Sequence, residues 1–335
     1  MKKNLILFAA LIALAISGWY FINSKEKESK KSFDFSYREF ALEDLEELDK
    51  IIVAKRNTDP LIFTRSGDSW MINDQFKARK NAMDNMLDVV KNIRIDYVPP
   101  NSATENIMKS FLKHGIKVEL YDKAGNALKK YYIGSSPADG IGSYFVMEGS
   151  EKPLVMALPT MKGNVHTRFN YKLNEWRDMT VVDIQSDDIS GIQVSYPFNK
   201  KFSFNYDGKT VWPLHDLQKP ISGKVNKKMI ETYLQGFEHK EAEYIENENP
   251  RRDSIVMQVP FCEISITDKA GSKKDLRFFY FTNPQFDQTQ TTAMDAYSPF
   301  HTERFFIQTN WGDFYLGQHQ VFKDLFWKYD LFFKE

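Results

Sequence analysis

An ordered internal repeat is what most constrains the fold of this chain. Leu48, Ile51, Val53, Phe63 and Gly67 recur 141 residues later as Ile189, Ile192, Val194, Phe204 and Gly208, and Trp70 answers to Trp212. The segment after them carries Met83, Met86, Leu87, Val90 and Ile93 at the spacing of a single helix face. Shifted by 147, the first four become Ile230, Tyr233, Leu234 and Phe237. Asp96-Tyr97-Val98 is then matched by Glu243-Tyr244-Ile245, and KVELYDKAG (Lys117 to Gly125) by EISITDKAG (Glu263 to Gly271). Any one apolar-for-apolar match carries little weight. Order is what carries weight: the segments align in sequence while the offset drifts only from 141 to 147, which argues for two copies of one unit.

Each copy reads as α+β. In the first, strands are expected at Ile51–Lys55, Leu61–Arg65 and Ser69–Asn73, then a helix, then strands at Ile116–Tyr121, Leu128–Ile133, Ser143–Glu148 and Leu154–Leu158. Hairpin turns are expected at Arg65-Ser66-Gly67-Asp68 and Tyr206-Asp207-Gly208-Lys209, and at the two Asp-Lys-Ala-Gly links. A second helix, Ala103 to His114, should end at Gly115 as a C′ residue; in the other copy Asn249-Pro250-Arg251-Arg252 shortens its counterpart.

Ahead of the repeat, Leu5 to Ile22 is an uncharged run of 18 residues preceded by Lys2 and Lys3. As a helix it measures about 27 Å, close to the roughly 30 Å hydrocarbon core of a bilayer. Trp19 and Tyr20 stand where interfacial rings are favoured, and KEKESKK (Lys25 to Lys31) ends the helix in water. A signal peptide cleaved after Ala15-Ile16-Ser17 is the competing reading, but the apolar run continues past Gly18. No cysteine stands near position 20, which excludes a lipoprotein anchor. The lysines beyond Ile22 favour keeping that flank inside, whereas the short basic leader favours exporting the body, and the export reading is adopted. A cytoplasmic body on a membrane-anchored tail is the alternative. The expected organisation is a transmembrane anchor over 1–24, a charged linker over 25–35, and α+β units of mostly antiparallel sheet over 36–175 and 176–335, with Trp176-Arg177-Asp178 as the joint.

Chemistry is harder to find. Forty-five basic and 45 acidic side chains give a net charge of zero, which argues against a polyanion-binding surface over the whole molecule and so against nucleic acid. A local basic patch is not excluded by this. Cys262 is the single cysteine, so neither a disulfide framework nor a cysteine zinc cluster can form. The metalloprotease, nucleophile-elbow, Walker A and Rossmann patterns are all absent. Asp139-Gly140-Ile141-Gly142 reads as a turn before it reads as an anion cradle. Six histidines are scattered; His239 with Glu241 and His301 with Glu303 have strand spacing, but no third ligand is apparent. Glu43, Asp44, Glu46, Glu47 and Asp49, like Asp187 and Asp188, lack a calcium loop pattern and read as solvated acidic turns. Tyr131, Tyr132, Phe278, Phe279, Tyr280 and Phe281 could stack on sugars, but alternation along a strand exposes at most half of such a run. Cys262, in PFCEISI, reads as a small apolar residue. No catalytic, cofactor-binding or metal-binding residue is assigned.

Several stretches together resemble a known family. RSGDSWMINDQFKARKNAMDNMLDVVKNI, GIKVELYDKAGNALKKYYIG with GSYFVMEG, and WRDMTVVDI are similar to bacterial envelope proteins carrying the domain of unknown function 4340. These are packing and turn residues, so the resemblance implies kinship and supplies no catalytic residue. It implies an exported or membrane-anchored protein of the inner membrane, single-pass, with its bulk in the periplasm. Its role would be binding or scaffolding, accessory to an ABC-type export or gliding-motility transporter. A hydrolase or a carbohydrate-binding module acting on polysaccharide or peptidoglycan is the alternative.

Overall fold

The computed structural model describes residues 39–169, 172–215, 218–281 and 303–334. The expected anchor Leu5–Ile22, the linker and His301 lie outside them. Among the described residues no helix is long and apolar enough to cross a membrane. The chain forms two compact units, one ending at Asp178 and the other beginning at Met179. Trp176–Asp178, expected to open the second unit, completes the first. Trp176 is buried with its ring 4.9 Å from Phe63, its carbonyl accepts from the Arg79 N–H, and the Asp178 N–H donates to Lys77.

The first unit is a nine-stranded sheet. Its strands are β1 (Lys50–Lys55), β2 (Leu61–Ser66), β3 (Ser69–Ile72), β4 (Phe76–Lys77), β5 (Arg94–Tyr97), β6 (Ile116–Tyr121), β7 (Ala127–Ile133), β8 (Ser143–Met147) and β9 (Leu154–Ala157). They lie in the order β4-β3-β2-β1-β6-β7-β8-β9-β5. Helix α1 (Lys80–Asn92) follows β4 at one edge of the sheet, precedes β5 at the other, and packs on the inner face between them. Apolar residues at every second strand position meet it there: Ile51, Val53, Phe63, Ile72, Val118 and Tyr131 are buried in one cluster with Met83, Met86, Val89 and Val90.

The second unit repeats this plan. Its strands are β10 (Thr180–Val182), β11 (Ile189–Ser195), β12 (Phe204–Tyr206), β13 (Val211–Pro213), β14 (Lys240–Glu241), β15 (Tyr244–Ile245), β16 (Cys262–Asp268), β17 (Lys273–Tyr280), β18 (Arg304–Thr309) and β19 (Phe314–Gln318). Apart from the β10-β14 pair, they form one sheet ordered β13-β12-β11-β16-β17-β18-β19-β15. Position by position this is the order β3-β2-β1-β6-β7-β8-β9-β5 of the first unit. Every strand pairing among the described residues is antiparallel. Helices α1 and α3 (Lys227–Gln235) hold equivalent places, and α3 buries Ile230, Tyr233 and Leu234 against Val194, Phe204 and Ile264. The fold is α+β and mostly antiparallel sheet. The two Asp-Lys-Ala-Gly links close alike: the Gly125 and Gly271 N–H groups donate to the Asp122 and Asp268 carbonyls, and the aspartate Oδ1 atoms accept from Asn126 and Ser272.

Three local expectations change. Both β2-β3 and β12-β13 turn at the same glycine, so the structural partner of Trp70 is Val211, and Trp212 corresponds to Met71. A one-residue slip reverses the face of a strand residue. Trp70 is therefore 6% exposed in the core, whereas Trp212 is 53% exposed on the outer face. Leu87 is only half-buried, because α1 is rotated so that Val89 faces the sheet. Gly115 follows its helix in extended rather than left-handed conformation. Glycine is needed there because a Cβ would press on the Phe111 carbonyl.

The outer faces differ between the units. In the first, α2 (Asn101–His114) lays Phe111 over Gly134, and Ile107, Val146 and Val155 are buried on this side. In the second, the short α4 (Arg252–Val256) covers only the β17-β19 end, where Ile255 packs with Phe279, Phe306, Phe314 and Leu316.

Candidate functional site

Most candidate residues from the sequence have structural roles. Glu46 N–H donates to Asp44 Oδ1 at 2.8 Å, and Glu46 Oε2 lies 3.5 Å from Arg65 Nη1 on an exposed loop. Asp187 and Asp188 form a short 3-10 turn. In Asp139-Gly140-Ile141-Gly142 the Asp139 carboxylate accepts from the Ile141 N–H at 2.9 Å, and Gly142 has φ +69°, where a Cβ would press on the Met156 carbonyl. His239 Nε2 pairs with Glu241 Oε1 at 3.1 Å in the open. Among the described residues no group of three or more His, Cys, Asp or Glu is placed to hold a metal ion. Cys262 is fully buried, and burial pushes its thiol well above the ordinary range, so it is a core residue. Of the aromatic run, Tyr131 and Phe278 point into the two cores and Phe279 lies under α4.

Among the described residues, the arrangement that has no packing role is the half of the second sheet that no helix covers. Alternation turns Ile192, Val194, Phe204, Ile264 and Leu276 inward, which leaves their neighbours outward. Register then assembles two polar rows across the strands. One runs Trp212, Asn205, Gln193, Ser265, Asp275; the other runs Ser195, Glu263, Arg277. The first row spans about 19 Å, four strand spacings of roughly 4.8 Å. The charged groups of both rows are held in place: Ser265 Oγ donates to Asp275, Lys273 Nζ lies 3.3 Å from Asp275, and Arg277 Nε donates to Glu263 at 3.3 Å. Trp212 is fixed as well, because its indole N–H donates to Asp207 at 3.0 Å. That bond holds the Asp207 carboxyl below the usual range.

A cavity of about 580 Å³ opens on this face, walled by Leu214 and His215. A second, of about 600 Å³, shares His215 and is lined by Lys200, Lys201, Lys219, Gln218 and Asp330. His215 Nε2 and Gln218 Oε1 are buried atoms without a hydrogen-bond partner, an unusual condition for native polar groups. No single motif signals this site. Its alternation is legible in Gln193-Val194-Ser195 and Glu263-Ile264-Ser265, but only the strand order unites them.

The equivalent face of the first unit is closed. Lys117, Glu119, Lys130 and Tyr132 stand where Glu263, Ser265, Asp275 and Arg277 stand in the second. Lys117 Nζ lies 2.6 Å from Glu119 and 2.8 Å from Glu148, and Tyr121 donates to Glu119 at 2.7 Å. The hydrogen bonds to Glu119 and then Glu148 raise Lys117 above its ordinary value. Lys50 and Lys130 lie over the Tyr121 ring at 5.0 and 5.5 Å, so the side chains here satisfy one another.

Together the two sheets define a tandem α+β protein. The chain belongs to the family described as Domain of unknown function (DUF4340), whose model matches residues 70–254, more than half of the chain. The matched span begins in β3 and ends in α4, so it crosses from one unit into the other. No curated protein and no solved structure matches the chain.

Proposed function

We propose that the protein is a non-catalytic, membrane-anchored envelope protein that acts by binding or scaffolding. Leu5–Ile22 is its single span, and two units of common descent occupy the periplasmic side of a bacterial inner membrane. The observation that carries the binding reading is the open outer face of the second sheet, where side chains are held in position by partners around a concave surface. Common descent is supported by the matching strand orders. The anchor is supported by the length and flanks of the uncharged run. Family resemblance makes an ABC-type export or gliding-motility transporter the partner to test.

Crosslinking in native membranes, followed by purification of the full-length chain, tests this directly. The protein is expected in the membrane fraction with its N-terminus intact and a transporter subunit attached. An N-terminus at Gly18 would refute the anchor, and the absence of any transporter subunit would refute the accessory role.

A second reading, an envelope hydrolase, is favoured by one observation. Glu263 and Asp275 lie on neighbouring strands two residues out of register, so they are diagonal neighbours about 7–8 Å apart, and somewhat less at Cβ. Paired glycosidase carboxylates use similar separations. Both are already engaged, however, by Arg277 and by Ser265 with Lys273. Polysaccharide cleavage lost in Glu263→Gln would decide for this reading.

A further inference from the structure

We infer that the open face of the second unit binds an acidic oligosaccharide. The inference deepens the binding reading above, but needs neither the anchor nor the transporter. Trp212 supplies one part of the recognition. An exposed indole at the sheet edge, locked by Asp207, offers a flat apolar surface at little entropic cost. The C–H face of a sugar ring is the natural complement to such a surface.

The two polar rows supply the second part. Asn205, Gln193 and Ser195 present amide and hydroxyl groups, which both donate and accept, as sugar hydroxyls require. Their row extends about 19 Å from Trp212 to Asp275. That is the reach of a short oligosaccharide rather than of a single sugar.

The third part is charge. Among the described residues, the adjoining cavity carries Lys200, Lys201 and Lys219 against one acid, Asp330, in a chain with no net charge. His215 lines both cavities, so a ligand that spans them passes over this residue. A neutral glycan would leave this basic pocket unanswered; a carboxylate on the sugar answers it. The first unit sharpens the contrast, because its matching face is closed by the Lys117, Glu119 and Glu148 network. One face of the shared plan has thus been filled and the other left open.

The test uses the full-length chain in detergent micelles. Calorimetric titration compares a tetrasaccharide of uronic acid with the same compound after carboxyl reduction. The acidic form is expected to bind at least about tenfold more tightly, with an affinity that falls as salt rises. Trp212→Ala should weaken both forms by about tenfold, and Trp212→Phe by less. Lys200→Ala combined with Lys219→Ala should remove the preference while leaving the neutral form unaffected. Far-ultraviolet circular dichroism confirms folding, and Gln193→Ala serves in place of Trp212→Ala if that variant does not fold. The proposal is overturned if wild type binds neither form at millimolar concentration, if both forms bind equally, or if the folded face variants bind as wild type does. Such a failure leaves membrane fractionation and transporter co-purification untouched, so the two readings fail separately.

Discussion

Replacing Trp70 and Trp212 by alanine in turn should separate two residues that look equivalent in sequence. A tryptophan side chain buries about 150–250 Å², worth roughly 4–6 kcal/mol at about 25 cal/mol per Å² when fully enclosed. Trp70 is 6% exposed and wedged in the core of its unit, so Trp70→Ala should cost about 3–5 kcal/mol, including the cavity it leaves. Trp212 is 53% exposed on a strand at the sheet edge. About half of the transfer term applies there, the site can relax, and an exposed hydrogen bond to Asp207 is lost; about 1–2 kcal/mol is expected. With a urea slope of about 2 kcal/mol per molar, Trp70→Ala moves the midpoint of its unit by about 2 M and Trp212→Ala by less than about 1 M. Urea unfolding followed by near-ultraviolet circular dichroism reads both, each unit being allowed its own transition. Equal shifts would refute the assignment of the two rings to opposite faces, and with it the register of β13.

Leu234→Ala should cost about 2–5 kcal/mol because Leu234 is 7% exposed, whereas half-buried Leu87 should cost less; the reverse order in urea unfolding would mean α1 is rotated from its described face. Asp122→Ala and Asp268→Ala should each lower the melting temperature, and by similar amounts, since each carboxylate accepts from the backbone N–H at the equivalent turn position; a large disparity in thermal melts would show that the turns are not equivalent. Burial, then Lys55, holds His166 below its ordinary value of 6.5. The unfolded chain therefore takes up this proton first, so stability is level above pH 6.5 and declines as pH falls toward the folded value. His166→Gln should flatten that acid limb in urea midpoints taken from about pH 7.5 to about pH 5, and an unchanged slope would exclude His166 as its source.

The elements that could be read from sequence were those whose signals are local. Alternation marked β6 at Ile116–Tyr121, and the Asp-Lys-Ala-Gly turns carry their own capping aspartates. The helical stripe located α1 but placed Leu87 on its buried face instead of Val89, because a 3.6-residue period leaves the rotation uncertain by a residue. Trp212 misled for a sharper reason. An aromatic match at an offset of 142 looks like conservation of a core residue, yet the hairpin runs at 141 and strand faces alternate with every residue. The candidate site was illegible as a unit, since Gln193, Asn205, Ser265 and Asp275 come from four strands whose adjacency is set by the fold.

The helices on the two outer faces differ in length, and proline explains why the second is short. Helix α2 runs 14 residues, about 21 Å, between Pro100 and Gly115. In the second unit Pro250 and Pro260 stand ten residues apart, and a proline can neither continue a helix nor permit one just before it. What forms between them is α4, five residues and about 7.5 Å long. An eight-stranded sheet is roughly 34 Å wide, so α4 can shield only one end of its outer face. The buried apolar cluster of this face is therefore gathered at that end, at Phe279, Phe306, Phe314 and Leu316. The remaining strands must face water with side chains that water or a ligand can satisfy, as Asn205, Gln193, Ser195 and Ser265 do. Two prolines thus set the length of a helix, the helix sets how much of the sheet is covered, and the uncovered remainder is the surface on which binding is proposed.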